Sequence, residues 1–130
     1  MTARQTSNFN NVTDRYLTCE CCKQGQLSIA AFIVLETVRM HFNSPVSLSS
    51  GPRCKKHNRR VGGADKSEHL IIQDEDGVLL DTDAVDITVR GVTPHEVYMY
   101  LKGLPYSNLL GIGKYKTFTH VDVRGYGARW

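Results

Sequence analysis

The chain has 130 residues, 41% of them hydrophobic and 22% charged, with a net charge of +3. That is enough for one domain with a real core but not for two, and it excludes a low-complexity or strongly polyionic protein. No apolar stretch reaches the roughly twenty residues needed to span a bilayer, since the longest runs only from Ile29 to Leu35.

Residues 1–12 are polar, rich in Asn and Thr, and read as a loose N-terminal arm. They hold no apolar h-region, so no signal peptide is expected and delivery outside the cytoplasm would need another route. The cluster Cys19-x-Cys21-Cys22 could contribute to a zinc site, but no second Cys/His pair follows at finger-like spacing. Buried free thiols or a disulfide to Cys54 also fit. Gln26 to Phe42 predicts an amphipathic helix with Ser28 as N-cap and Ile29, Phe32, Ile33, Val38 and Phe42 on its buried stripe. Asn43-Ser44-Pro45 ends it, because the residue before proline avoids the α region. Val46 to Ser49 alternates as a strand, and Gly51-Pro52 breaks it.

A basic segment follows, Arg53-Cys54-Lys55-Lys56-His57-Asn58-Arg59-Arg60, helical from Lys55 to Arg60. It fits a solvated face with one or two functional cations better than a nucleic-acid patch, since aromatic interleaving is missing. Leu70-Ile71-Ile72 and Val78-Leu79-Leu80 flank the acidic, glycine-ended linker Gln73 to Gly77, which is a hairpin signature. Asp86 to Val89 reads as a strand. Thr93-Pro94-His95-Glu96 is a capping box with proline at the first helical position, opening a helix to about Leu101 that Gly103 ends. The last strand surrounds Thr117-Phe118-Thr119-His120-Val121-Asp122-Val123. There the two-residue period projects Phe118, His120 and Asp122 from one face. Helices and strands mix without regular β-α-β alternation, so the expected class is α+β, one domain with a small, mostly antiparallel sheet and flanking helices.

Three separated stretches combine into a larger pattern. Ser50-Gly51-Pro52-Arg53, Asn58, Val61-Gly62-Gly63-Ala64, Ser67 and His69 come first; Ala84-x-Asp86-Ile87 follows; Gly111-Ile112-Gly113-x-Tyr115-x-x-Phe118-x-His120-Val121-Asp122-Val123-Arg124 and Ala128-Arg129-Trp130 close the chain. In this order, from about Phe9 to the end, they resemble the zinc D-Ala-D-Ala carboxypeptidases, peptidoglycan peptidases that share a fold with the hedgehog signalling domain. The resemblance implies a metallopeptidase domain over residues 13–130 and a Zn2+ cofactor held by His69, Asp86 and His120. It implies that Arg53 grips a substrate carboxylate and that Ser67 contacts substrate. Two nitrogens and one carboxylate leave a fourth tetrahedral position for water, as catalytic rather than structural zinc requires.

Two departures from the pattern stand out. Sixteen residues separate His69 from Asp86 where the family has six, and Thr82 replaces a family glycine. The excess coincides with the expected hairpin insertion at about 70–82; Asp81 and Asp83 are rival ligands, but only Asp86 carries the flanking Ala84 and Ile87. Secondly, the acidic general base that many relatives carry three residues before the last histidine is Thr117 here. Asp122 is the substitute candidate, as proton shuttle or as a group that only orients His120. The expected function is zinc-dependent hydrolysis of peptide bonds in peptidoglycan stem peptides, by carboxypeptidase or endopeptidase action, in bacterial wall remodelling or a phage lytic enzyme. A zinc-retaining, non-catalytic binding module is the alternative. The expected partner is a peptidoglycan peptide met at the bacterial cell wall by a monomer, with no nucleic acid.

Overall fold

The computed structural model describes residues 17–130; the expected arm at 1–12 lies outside them. The first helix, α1, spans Ile29–Phe42. It starts where the Ser28 hydroxyl accepts from the Ala31 N–H at 3.1 Å and stops where Asn43 turns left-handed (φ 48°). Its buried face is Ala31, Phe32, Val34, Leu35 and Val38. Ile29 and Ile33, expected on the buried stripe, are instead 54% and 58% exposed. The reason is that Ile29 to Leu35 is apolar around almost the whole circumference, so periodicity could not choose the face.

Strand β1 (Val46–Ser50) leads through Gly51 and Pro52 to a short helix, α2 (Lys55–Arg60). Lys55, Lys56, Arg59 and Arg60 are exposed on it. The chain then loops out and returns as β2 (Ala84–Val89). Helix α3 (Pro94–Lys102) follows, with the Thr93 hydroxyl and Glu96 carboxylate reciprocally bonded in a capping box and Gly103 at its end. A 3-10 turn (Ser107–Leu109) leads into β3 (Gly111–Lys114), β4 (Thr119–Asp122) and a short β5 (Ala128–Arg129). The five strands form one sheet in the order β1-β2-β4-β3-β5, antiparallel throughout except for the β3–β5 pair. The fold is therefore α+β, a single domain with a mostly antiparallel sheet.

The strand period divides the sheet into two faces. Val46, Leu48, Val85, Ile87, Val89, Ile112 and Val121 point into the core, under α1 and α3. Asp86, His120 and Asp122 alternate with them and point the other way, yet all three are buried. No helix among the described residues is long and apolar enough to cross a membrane. All four cysteines are free thiols, so Cys54 forms no disulfide.

Candidate metal centre

Two side chains of the site come from the middle of the sheet. Asp86 on β2 and His120 on β4 are direct cross-strand partners, so their side chains share a face. His120 Nδ1 lies 2.9 Å from Asp86 Oδ1. The third side chain arrives from a loop. Residues 51–54 run parallel to the chain around Leu70, tied by Arg53 N–H to the His69 carbonyl and Ile71 N–H to the Arg53 carbonyl, both at 2.8 Å. This lays His69 over the sheet, with Nε2 3.1 Å from Asp86 Oδ1 and 3.2 Å from His120 Nδ1.

The long interval before Asp86 does not spoil this convergence. Between Leu70 and Leu80 the chain doubles back, with Gln73 bridging Leu79 antiparallel and Gly77 turning at φ 79°. Asp74 Oδ1 accepts from the Asp76 and Val78 N–H groups at the tip. Thr82 is then clamped, donating its N–H to Gln26 and accepting from Ser28. The chain enters β2 with only Asp86 aimed at the histidines; Asp81 is exposed against Gln26, and Asp83 stands outside the group.

The outer nitrogens settle what the inner ones can do. His69 Nδ1 lies 2.9 Å from the Gly51 carbonyl, which can only accept, so Nδ1 carries the proton. His120 Nε2 lies 2.7 Å from Asp122 Oδ2 and donates to it for the same reason. In the neutral rings the two inward nitrogens are therefore lone pairs, and Asp86 Oδ1 is a third acceptor. All three lie within 4.8 Å of one another. Three buried acceptors facing one another demand a shared proton or a cation, and oriented imidazoles with a carboxylate are a donor set that suits a divalent metal. The shared-proton alternative, in which the rings donate to Asp86, is the one the pKa directions describe. Burial pushes the Asp86 carboxyl up, but hydrogen bonds with His120 and His69 hold it well below the ordinary carboxylate range. Burial pulls His120 down, and Asp122 and Asp86 together more than reverse that.

Around this trio stands a supporting layer. Arg53 donates through Nε to the Ser50 hydroxyl (2.9 Å), through Nη1 to Asn58 (3.2 Å) and through Nη2 to Asp86 Oδ2 (3.3 Å). The Ser67 hydroxyl accepts the His69 N–H at 3.2 Å. Asp122 is fully buried behind His120, and Arg124 forks onto both its oxygens at 2.8 Å. Burial opposes ionisation of Asp122, yet Arg124 and His120 keep its carboxyl below its usual range. On β3, Gly111 and Gly113 face Asp122 and His120 across the ladder. A Cβ at Gly111 would stand 2.6 Å from the Asp122 carboxylate, and one at Gly113 would collide with the Trp130 indole. The two glycines thus make room for the Asp122–Arg124 pair and for Trp130, whose ring lies 5.1 Å from that of His120.

The trio opens into a cleft of about 640 Å³. Its walls carry Arg53, Lys66 and Arg124 on the cationic side and Tyr115, Phe118 and Trp130 on the aromatic side. Ser67 and Glu68 also line it, whereas Asp122 does not. Thr117 is exposed between β3 and β4. Of the residues singled out in the sequence, His69, Asp86, His120, Arg53 and Ser67 meet at this cleft. Asp122 reaches it only through His120. The sequence motif included Ser50 and Asn58 without giving them a role; they hold Arg53, and short polar side chains reveal such a role only once their neighbours are known.

A family model described as Peptidase M15 matches residues 9–122. The chain belongs to the peptidase M15 family. This zinc D-Ala-D-Ala carboxypeptidase-like family is zinc-dependent, and the donors of His69, Asp86 and His120 fit that ion by their chemistry. No curated protein and no solved structure matches the chain.

Proposed function

We propose that this M15 member hydrolyses a peptide bond in bacterial peptidoglycan stem peptides, with zinc held by His69, Asp86 and His120. The observation that carries this reading is the convergence of three buried acceptor atoms at the floor of a cleft with a cationic wall. When bound, the ion supplies Lewis acidity, acidifying water and polarising the scissile carbonyl. The chain's own groups do the rest. Arg53 is held as a fixed fork by Ser50, Asn58 and Asp86, and its remaining N–H groups grip a peptide carboxylate. The Ser67 hydroxyl uses an oxygen lone pair on His69 N–H, which leaves its O–H to donate to substrate. Asp122 keeps the Nε2 proton on His120 and so aims Nδ1 inward; fully buried and saturated with donors, it is suited to orientation rather than to carrying protons. Glu68, the carboxylate besides Asp86 on the cleft wall, takes the proton from the attacking water. Such an enzyme acts at the cell wall, as a remodelling or phage lytic peptidase working as a monomer.

One observation favours a second reading, a zinc-retaining module that binds wall peptides without cutting them. Thr117 stands where many relatives carry the base, and Asp122 cannot reach the cleft except through His120. A digest of purified muropeptides by the zinc-loaded protein, read by mass spectrometry, separates the two. New fragments that disappear in His120→Ala support hydrolysis. Intact muropeptides after long incubation, retained by the protein, select the binding module.

A further inference from the structure

A second group of soft ligands lies away from the cleft. Cys19, Cys22 and Cys54 place their sulfurs within 4.8 Å of one another. A disulfide needs about 2.05 Å between sulfurs, whereas two thiolates on one tetrahedral zinc stand about 3.8 Å apart, given a Zn–S bond of about 2.3 Å. The backbone around the group is built as a turn that presents sulfur. Cys19 N–H donates to the Gln24 carbonyl (2.8 Å) and Lys23 N–H to the Cys19 carbonyl (2.7 Å), with Lys23 at φ 61°. Two amides point at the sulfurs: Cys54 N–H lies 3.4 Å from Cys19 Sγ, and His57 N–H lies 3.4 Å from Cys54 Sγ. Amide donors stabilise sulfur as thiolate, the form that binds metal.

An independent observation concerns His57, one turn along α2 from Cys54. Its Nδ1 is buried and has no hydrogen-bond partner among the described residues. A buried, unpartnered ring nitrogen costs on the order of 1–3 kcal/mol; the ring stands outside the 4.8 Å group of sulfurs, and turning it onto a shared ion would remove that penalty. Cys19-x-x-Cys22 and Cys54-x-x-His57 are then the two halves of a Cys3His site, the second half being the one that finger-like spacing alone did not reveal. Cys21 is the competing fourth ligand, but its sulfur is turned toward the Arg60 guanidinium at 3.9 Å.

We propose that Cys19, Cys22, Cys54 and His57 bind a structural zinc ion separate from the cleft. It ties the 19–25 turn to the loop entering α2, immediately after Arg53. Gly25 already packs there against Pro52 and Ile71, and the ion would fix the backbone on which Arg53 stands.

Cobalt(II) loading under reducing conditions tests this. A near-ultraviolet thiolate-to-cobalt band is expected in the wild-type protein and in His69→Ala, and is expected to vanish in Cys22→Ser. Zinc content should be two equivalents in the wild type and one in either variant. X-ray absorption of His69→Ala carrying one zinc should show three sulfurs and one nitrogen. No thiolate band in the reduced wild-type protein overturns the site, whatever becomes of the variants. Four sulfurs overturn the role of His57. The cleft reading survives either failure, because its own metal is bound by nitrogen and oxygen alone.

Discussion

Asp122→Asn probes the assignment of this residue most directly. The carboxylate is fully buried and accepts from three donors, His120 Nε2 at 2.7 Å and Arg124 Nε and Nη2 at 2.8 Å. An amide of the same shape offers one oxygen, so its NH2 must confront either His120 or Arg124, donor against donor. Removing one partner of a buried pair costs about 3–5 kcal/mol. The Arg124 side chain is 16% exposed and keeps some water, which places the expected loss at the low end, about 3 kcal/mol, by urea unfolding of the metal-free protein. Losing the group that orients a ligating imidazole typically weakens metal binding 10–100-fold, or about 1.4–2.7 kcal/mol. Chelator competition should show that drop, and turnover should largely recover with excess zinc. Because the folded Asp122 pKa lies below the unfolded value of about 3.9, its stabilisation is complete above that pH. It is lost as pH falls through the folded value, so the gap between wild type and variant should close below about pH 4. Unchanged zinc affinity with turnover abolished at saturating zinc would refute the orienting role and make Asp122 the proton carrier.

Gly113→Ala should destabilise the protein by about 1–3 kcal/mol through collision with Trp130, and a crystal structure should find the indole shifted away from His120. Thr82→Val should be neutral or stabilising by up to about 1 kcal/mol in thermal unfolding, because the buried Thr82 hydroxyl has no partner among the described residues. Leu35→Ala, at a fully buried position of α1, should cost about 2–5 kcal/mol; a loss under 1 kcal/mol would contradict the observed burial of that face. Arg53→Lys should raise KM more than it lowers kcat, since an ammonium cannot reproduce the fork held by Ser50, Asn58 and Asp86.

Local rules were enough wherever one strong signal stood alone. The Thr93–Glu96 capping box with Pro94 and the Ser28 cap act over a few residues and start α3 and α1 where the sequence placed them, and the strand read at Asp86–Val89 formed with two more residues at its start. Ordered motifs also made the three candidate ligand residues legible, because a metal site restricts residue type far more than a core does. Only the fold could choose the buried side of α1, where seven consecutive apolar residues offer no preferred direction. Likewise, Asp86 won over Asp81 and Asp83 through strand register: it sits opposite His120 on a central pair, and a slip of one residue would turn it into the core. The seclusion of Asp122, the room left by Gly111 and Gly113, and the meeting of Cys54 with Cys19 and Cys22 depend on segments far apart in the chain. Such contacts are set by how the sheet pairs and how loops dock, which no local pattern encodes.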